Sequence, residues 1–306
     1  MPARDAHEVE KFWRAATEIG LMNHGVHEEA EGMFAMGEET IALTLKEKLL
    51  FEQGDQGADI GTRDVPEFVN IFKDDTHTWP AVARRTYPSA VNAPMESIVT
   101  PFVKNSLAIN NRPIGVLNDK LGLPEGTLAS LHKVEGFSGC TARFIRAPSY
   151  PGPEAKTLLT VHINFRSLSL LHNRLGGLQV LPPGSDQWFY VEPLTGHAIC
   201  NIGDVLNIFS GGILRSTSIA SPPPREQAQY ERHSVVFFTR PNDTVELRAL
   251  SAQSERIAAA HAPGVTVMGW LVRMVKSQRV TNYEGAESWT DRRGTEDTAI
   301  PSQGKI

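Results

Sequence analysis

His162-Ile163-Asn164-Phe165-Arg166-Ser167-Leu168-Ser169-Leu170-Leu171 lies in the part of the chain whose texture decides the fold. On a strand, residues i and i+2 share a face, so His162 and Asn164 point together, and the same spacing joins Arg232 to Ser234. Two polar pairs of this kind suggest a wet interior to a barrel-type sheet; the competing reading has each side chain facing solvent from an exposed sheet. Beyond Phe137 the chain is a series of short β-rich runs: Phe144 to Ala147, Thr157 to Asn164, Leu178 to Leu181, Trp188 to Pro193, Ala198 to Ile202, Val205 to Ser210 and Arg232 to Arg240. Turn-rich segments at Pro148 to Pro153, Pro182 to Ser185 and Pro222 to Glu226 separate them. Short strands at regular spacing predict a sandwich or jelly roll.

The front third reads differently. Val9, Phe12, Trp13, Ala16 and Ile19 fall at helical spacing with Gly20 after them, and a second helical stretch runs from about Glu28 to Lys48. Met95, Ile98, Val99, Phe102 and Val103 repeat the helical period, with Pro101 and Pro113 expected to bend or interrupt it. Gly54, Gly57 and Gly61 relax a connector from Gln53 to Val65 and form no phosphate-cradling fingerprint. A last amphipathic helix carries Val267, Leu271, Met274 and Val275 on one face, ahead of a polar tail from Thr290 to Ile306. The expectation is one domain over 1–306: a helical region at 1–130, a jelly-roll core at 131–245, and a C-terminal helix and tail at 246–306.

With 306 residues, 41% hydrophobic and 21% charged, the chain has an ordinary globular composition and length enough for a large core. A net charge of -5 and the lack of a long basic run argue against nucleic acid as a partner. Cys140 and Cys200 are too few for a disulfide framework and wrongly spaced for a C-x-x-C site, which fits a reducing, cytoplasmic setting. No stretch reaches the ~20 apolar residues of a membrane span, and the first ten residues lack an apolar leader core. No G-x-S-x-G elbow, H-E-x-x-H pair or glycine-rich kinase set occurs. Asp204 reads as a turn residue, and Trp188, Phe189 and Tyr190 read as strand-packing residues.

Several motifs occur together in order: the His162 to Leu171 stretch, Gly177-Leu178-Gln179-Val180, Asn201-Ile202-Gly203-Asp204, Leu214-Arg215-Ser216-Thr217 and Arg232-His233-Ser234, with Asn23-His24-Gly25-Val26 near the start. In these the chain resembles the isopenicillin N synthase-like 2-oxoglutarate/Fe(II) oxygenases, with wording similar to fungal natural-product members. The resemblance implies a mainly β fold, a double-stranded β-helix (jelly roll) wrapped by N-terminal and C-terminal helices. It also implies an iron site of two histidines and one carboxylate. Here the H-x-D motif reads His162-Ile163-Asn164, and Ile219 falls where the distal histidine belongs. Arg232 and Ser234 match the R-x-S that holds the distal carboxylate of 2-oxoglutarate. The tyrosine that often contacts 2-oxoglutarate is replaced near Ala147-Pro148.

On this reading only His162 of the three ligands survives, and neither Fe(II) nor 2-oxoglutarate is expected as a cofactor. The expected function is a metal-independent cyclisation or isomerisation of an apolar natural-product intermediate, for instance a Diels-Alder-type reaction. His162, Asn164 and Arg232 would orient and polarise the small-molecule substrate. Ser234, Phe144, Phe165, Phe237 and Ile219, with Leu159, would line its pocket. Two alternatives stand beside it: an Fe(II)/2-oxoglutarate oxygenase with an unconventional metal site, and a non-catalytic small-molecule binder.

Overall fold

The computed structural model describes residues 6–19, 21–24, 28–51, 66–149, 162–163, 165–182, 187–216, 218–220, 227, 229–259 and 264–277. The chain opens with α1 (Ala6–Arg14), widened into a π-helical turn at Ala15–Ile19, then β1 (Leu21–His24). Next come α2 (Glu28–Ile41), α3 (Leu45–Leu49), β2 (Glu67–Phe72), α4 (Lys73–Thr78) and α5 (Ser89–Asn92). A π-helical turn at Met95–Val99 leads into α6 (Thr100–Lys120), followed by α7 (Thr127–Leu131). The β region holds β3 (Thr141–Ala147), β4 (His162–Ile163), β5 (Leu168–Asn173), β6 (Leu178–Leu181), β7 (Phe189–Val191) and β8 (Ala198–Ile202). It ends with α8 (Asp204–Phe209), β9 (Ser218–Ala220), β10 (Arg232–Thr239) and the C-terminal α9 (Val267–Ser277).

The strands form two antiparallel sheets, ordered β1-β8-β5-β10-β3-β2 and β4-β9-β6-β7. This is the expected jelly roll with flanking helices. α2 and α6 cover the outer face of the six-stranded sheet. Acidic Glu28, Glu29 and Glu31 suit the positive N-terminal end of α2, whose buried face carries Met33, Phe34 and Gly37. Phe34 meets Phe144 of β3 edge to face at 6.3 Å. Gly37 makes that approach possible, because a Cβ there would overlap the Phe144 ring. On α6, Phe102 packs against Phe237 of β10 at 6.4 Å, and Pro113 sits inside the helix without ending it.

Three elements depart from the sequence reading. The helical stretch expected from Glu28 to Lys48 breaks after Ile41, and α3 restarts behind a capping box in which Thr44 and Glu47 satisfy each other's backbone amides. The helical front third also donates β1 and β2, one to each edge of the six-stranded sheet. The run from Val205 to Ser210 is helix α8, not strand. It is buried on nearly every side, so its apolar residues show neither period, and a run this short does not distinguish helix from strand. Among the described residues no helix is long and apolar enough to cross a membrane.

Candidate active site

β10 runs between β3 and β5 in the six-stranded sheet, so its side chains alternate between the helix-covered face and the inner face of the jelly roll. His233 marks the outer side. Its ring lies 5.2 Å from Phe144, with Nδ1 3.0 Å from Glu38 of α2 and Nε2 2.7 Å from Glu231. Arg232 and Ser234 therefore take the inner face, where both are buried. Directly paired positions share a face, which sets Ala147 beside Arg232, and Ile145 and Asn173 on either side of Ser234. Desolvation pushes the Arg232 guanidinium down to about 10, which leaves it charged at neutral pH.

Asn173 is the residue that sequence reasoning missed. It is half-buried, yet neither its amide nitrogen nor its oxygen has a hydrogen-bond partner. A polar group in that state is costly unless something else meets it. β5 was not among the strands expected from the sequence, so nothing there placed Asn173 in phase with Ser169 and Leu171.

Further along the inner face the environment is cationic and aromatic. Arg143, paired with Val236, donates from Nε to Asn70 Oδ1 at 2.5 Å and lies over the rings of Phe68 and Phe238 at 4.8 and 5.3 Å. Arg166 stacks on Phe238 at 3.2 Å. Desolvation first, then the like charges of Arg240 and Arg143, holds its guanidinium well below the usual arginine range. Ser169 and Asn201 join side chains across β5 and β8. Beside this region, His132 and Ser167 form a sealed pair. The His132 Nδ1 lies 2.7 Å from the Leu128 carbonyl and so carries the proton, leaving Nε2 to accept from the Ser167 hydroxyl at 2.7 Å. Burial pushes His132 down to about 4, and Ser167 is wholly buried, so the pair is a structural clasp and not a nucleophile with its base.

The sequence-derived pocket wall needs correction. Phe144 and Phe237 are fully buried, but they follow the phase of Val235, opposite to Ser234, and pack beneath α2 and α6. Their strands were read correctly and their faces were not, a one-residue error in phase that inverts every assignment on a strand. Phe165 lies in the core under the guanidinium groups of Arg166 and Arg240, at 4.6 and 5.6 Å from its ring centre. Phe189 and Tyr190, read as packing residues, are exposed on the outer strand β7. Asn164 and Leu159 lie outside the described residues. His162 and Ile219 are described in backbone position: β4 pairs with β9, and His162 stands directly opposite Ile219. His172 is no substitute ligand from the inner side, because it faces α6 with its ring 5.9 Å from Phe102.

Residues 138–241 match the 2OG-Fe(II) oxygenase superfamily. That match spans the strands from β3 to β10 of the jelly-roll core. Curated proteins similar to this chain include a 2-oxoglutarate-dependent dioxygenase of Aspergillus fumigatus, 29% identical over 56% of this chain and 49% of its own length. Another is the 2-oxoglutarate-dependent dioxygenase frbH of a Dothideomycetidae species, 24% identical over 82% of both chains. The chain thus spans about half the length of the first of these relatives. Among solved structures, Neurospora crassa T7H in complex with alpha-KG and 5-formyluracil superposes with a TM-score of 0.73 at 18% identity, covering 89% of this chain and 92% of that one. JOX2 in complex with 2OG, Fe and JA gives 0.69 at 19% identity, covering 94% and 86%. At such identities the superpositions speak for the fold.

These findings overturn the expectation that Fe(II) and 2-oxoglutarate are not used. The superfamily is named for both, the curated relatives are named for 2-oxoglutarate, and the solved neighbours hold it. None of the relatives named above is a cyclase, so that expectation gains no support.

Proposed function

We propose that the chain is a 2-oxoglutarate-dependent oxygenase, of the kind found in fungal natural-product pathways, that acts on a small, largely apolar molecule and has an unconventional metal site based on His162. The observation that carries this reading is the buried Arg232 and Ser234 pair on the inner face of β10, flanked by the unpartnered amide of Asn173.

The residues present fit 2-oxoglutarate. The Arg232 guanidinium offers a two-pronged donor for a carboxylate, and the Ser234 hydroxyl adds a third hydrogen bond. Asn173 can donate from Nδ2 to the same carboxylate or accept through Oδ1 from a water that bridges to it.

The donor set does not fit a site of two histidines and one carboxylate. Ile219, opposite His162, carries no donor atom, and Asn164 is a neutral amide. Among the described residues no three His, Cys, Asp or Glu side chains gather as a metal site. The work assigned to this chain's own residues is therefore binding and orientation: Arg232 and Ser234 fix one end of 2-oxoglutarate, and the aromatic inner face excludes water around it.

Equilibrium titration with 2-oxoglutarate tests this assignment. Wild type should bind it, and Arg232→Ala should lose roughly 2–3 kcal/mol, on the order of a hundredfold in Kd, with Arg232→Lys in between. Equal affinity in the three proteins would overturn the assignment.

A further inference from the structure

Arg232 and Ser234 sit at one end of β10, and the two neighbouring strands support that end unequally. β10 pairs with β3 as far as Arg232, but with β5 only as far as the pair of Ser234 and Asn173. On the outer face, side chains supply a tie on the side that the β5 ladder leaves open. Glu67, Arg146 and His233 occupy one rung across β2, β3 and β10, and Arg174 follows Asn173 directly. Acidic side chains stitch this row together. Glu231 joins Arg146 (2.6 Å) to His233 (2.7 Å), and Glu38 of α2 joins His233 (3.0 Å) to Arg174 (3.2 Å). At the two ends, Glu67 holds Arg146 at 2.9 Å and Glu31 holds Arg174 at 2.5 Å. The rung of Arg146 and His233 thus lies between the inner-face rung of Arg232 and that of Ser234 and Asn173.

His233 is the member of the row that a proton can make or unmake. Each of its ring nitrogens faces a carboxylate oxygen, and only the imidazolium donates from both; the neutral ring turns a lone pair toward one of the two acids. Burial works against ionising Glu231, but hydrogen bonds from Arg146 and His233 hold its carboxyl below the usual range, so it is an anion at neutral pH. Among the described residues the charged groups that face the ring are Glu231 and Glu38, backed by Arg146 of β3 and by Arg174 after β5, with the Phe144 ring 5.2 Å away. Half-exposed pairs of this kind add little to stability, so the row matters for geometry. Groups that bind a ligand must be held to within about 0.5 Å of their places.

We propose that His233 is a positioning residue for the co-substrate site: its protonated ring ties β10 to α2 and, through Glu38 and Arg174, to the end of β5, and so sets Arg232 and Ser234 against Asn173. The inference rests on the functional reading above, because it takes 2-oxoglutarate as the ligand of Arg232. Binding linkage is reciprocal, so a proton on His233 tightens 2-oxoglutarate by the same factor as 2-oxoglutarate tightens the proton.

The test is calorimetric titration of the full chain with 2-oxoglutarate at pH 6 and at pH 8, a window that spans ordinary histidine titration. Wild type should bind about fivefold or more tightly at the lower pH. His233→Gln, whose neutral amide cannot donate to both acids through separate ring nitrogens, should lose that gain and bind with the weaker affinity throughout. Glu38→Gln, which removes one of the two charges that the imidazolium meets, should lose most of it. Melting temperatures of both variants should stay close to that of wild type, which separates positioning from loss of the fold. A pH gain that persists in folded His233→Gln, or wild-type affinity that is the same at both pH values, would overturn the positioning role while leaving the functional reading in place. If His233→Gln does not fold, Glu38→Gln decides by the same comparison. No binding of 2-oxoglutarate by wild type at either pH would overturn both.

Discussion

Acidification should expose the clasp between His132 and Ser167. In the folded protein His132 is neutral with a pKa of about 4, against 6.5 when unfolded. The unfolded chain therefore takes up a proton at a higher pH than the folded one. Its contribution to stability is complete above about pH 6.5, declines as the pH falls, and is gone near pH 4. A gap of about 2.5 units corresponds to roughly 3 kcal/mol over the whole window, of which about 2 is lost between pH 7 and pH 5. Carboxylates also titrate in this range, so the informative quantity is a difference between two proteins. His132→Gln keeps a polar side chain but removes the titration. Urea melts of both proteins at pH 7, 6 and 5 should show the wild-type advantage shrinking by about 2 kcal/mol across that range. An advantage that stays constant, or a His132 resonance that titrates near 6.5 in the folded state, would refute the reasoning.

Other consequences follow from packing and pairing. Gly37→Ala should cost about 1–3 kcal/mol in a denaturant melt, because the added methyl overlaps a fully buried Phe144; a neutral result would mean that α2 lies farther from β3. Lys73 is buried, donating to the Val134 and Gly136 carbonyls at 2.7 and 2.6 Å while pairing with Asp74 at 3.0 Å. Lys73→Ala should destabilise by about 3–5 kcal/mol, again read by denaturation. Asn173→Ala should leave the melting temperature nearly unchanged and weaken 2-oxoglutarate binding, and the reverse pattern would make Asn173 structural. The Cys200 thiol, pushed up to about 12 by burial, should resist alkylation at pH 8 until the protein is unfolded, as mass spectrometry would show.

The jelly roll was legible because its strands are short, regularly spaced and bounded by proline-rich turns, and β6 and β8 begin and end where the pattern put them. Arg232 and Ser234 were legible as a two-residue pair in a strand. What the sequence hid was phase and partnership. Phe144 and Phe237 look alike whichever way they face, and only the packing of α2 and α6 shows which side of the sheet is covered. Strand β1 is four residues long, too short to display a period, and β2 interrupts a helical region. The opposition of His162 and Ile219 is a pairing between segments more than fifty residues apart, which no local pattern encodes. Asn173 was overlooked because its significance comes from unmet hydrogen bonds, a property of the folded state alone.

Formation of succinate from 2-oxoglutarate tests the central claim most directly. Purified protein supplied with Fe(II), oxygen and 2-oxoglutarate at high enzyme concentration should release succinate, even without its natural substrate. Release should stop when Fe(II) is chelated and fall sharply in Arg232→Ala. Succinate at the level of a protein-free control, from folded wild type that has been given Fe(II) and 2-oxoglutarate together, would contradict the account.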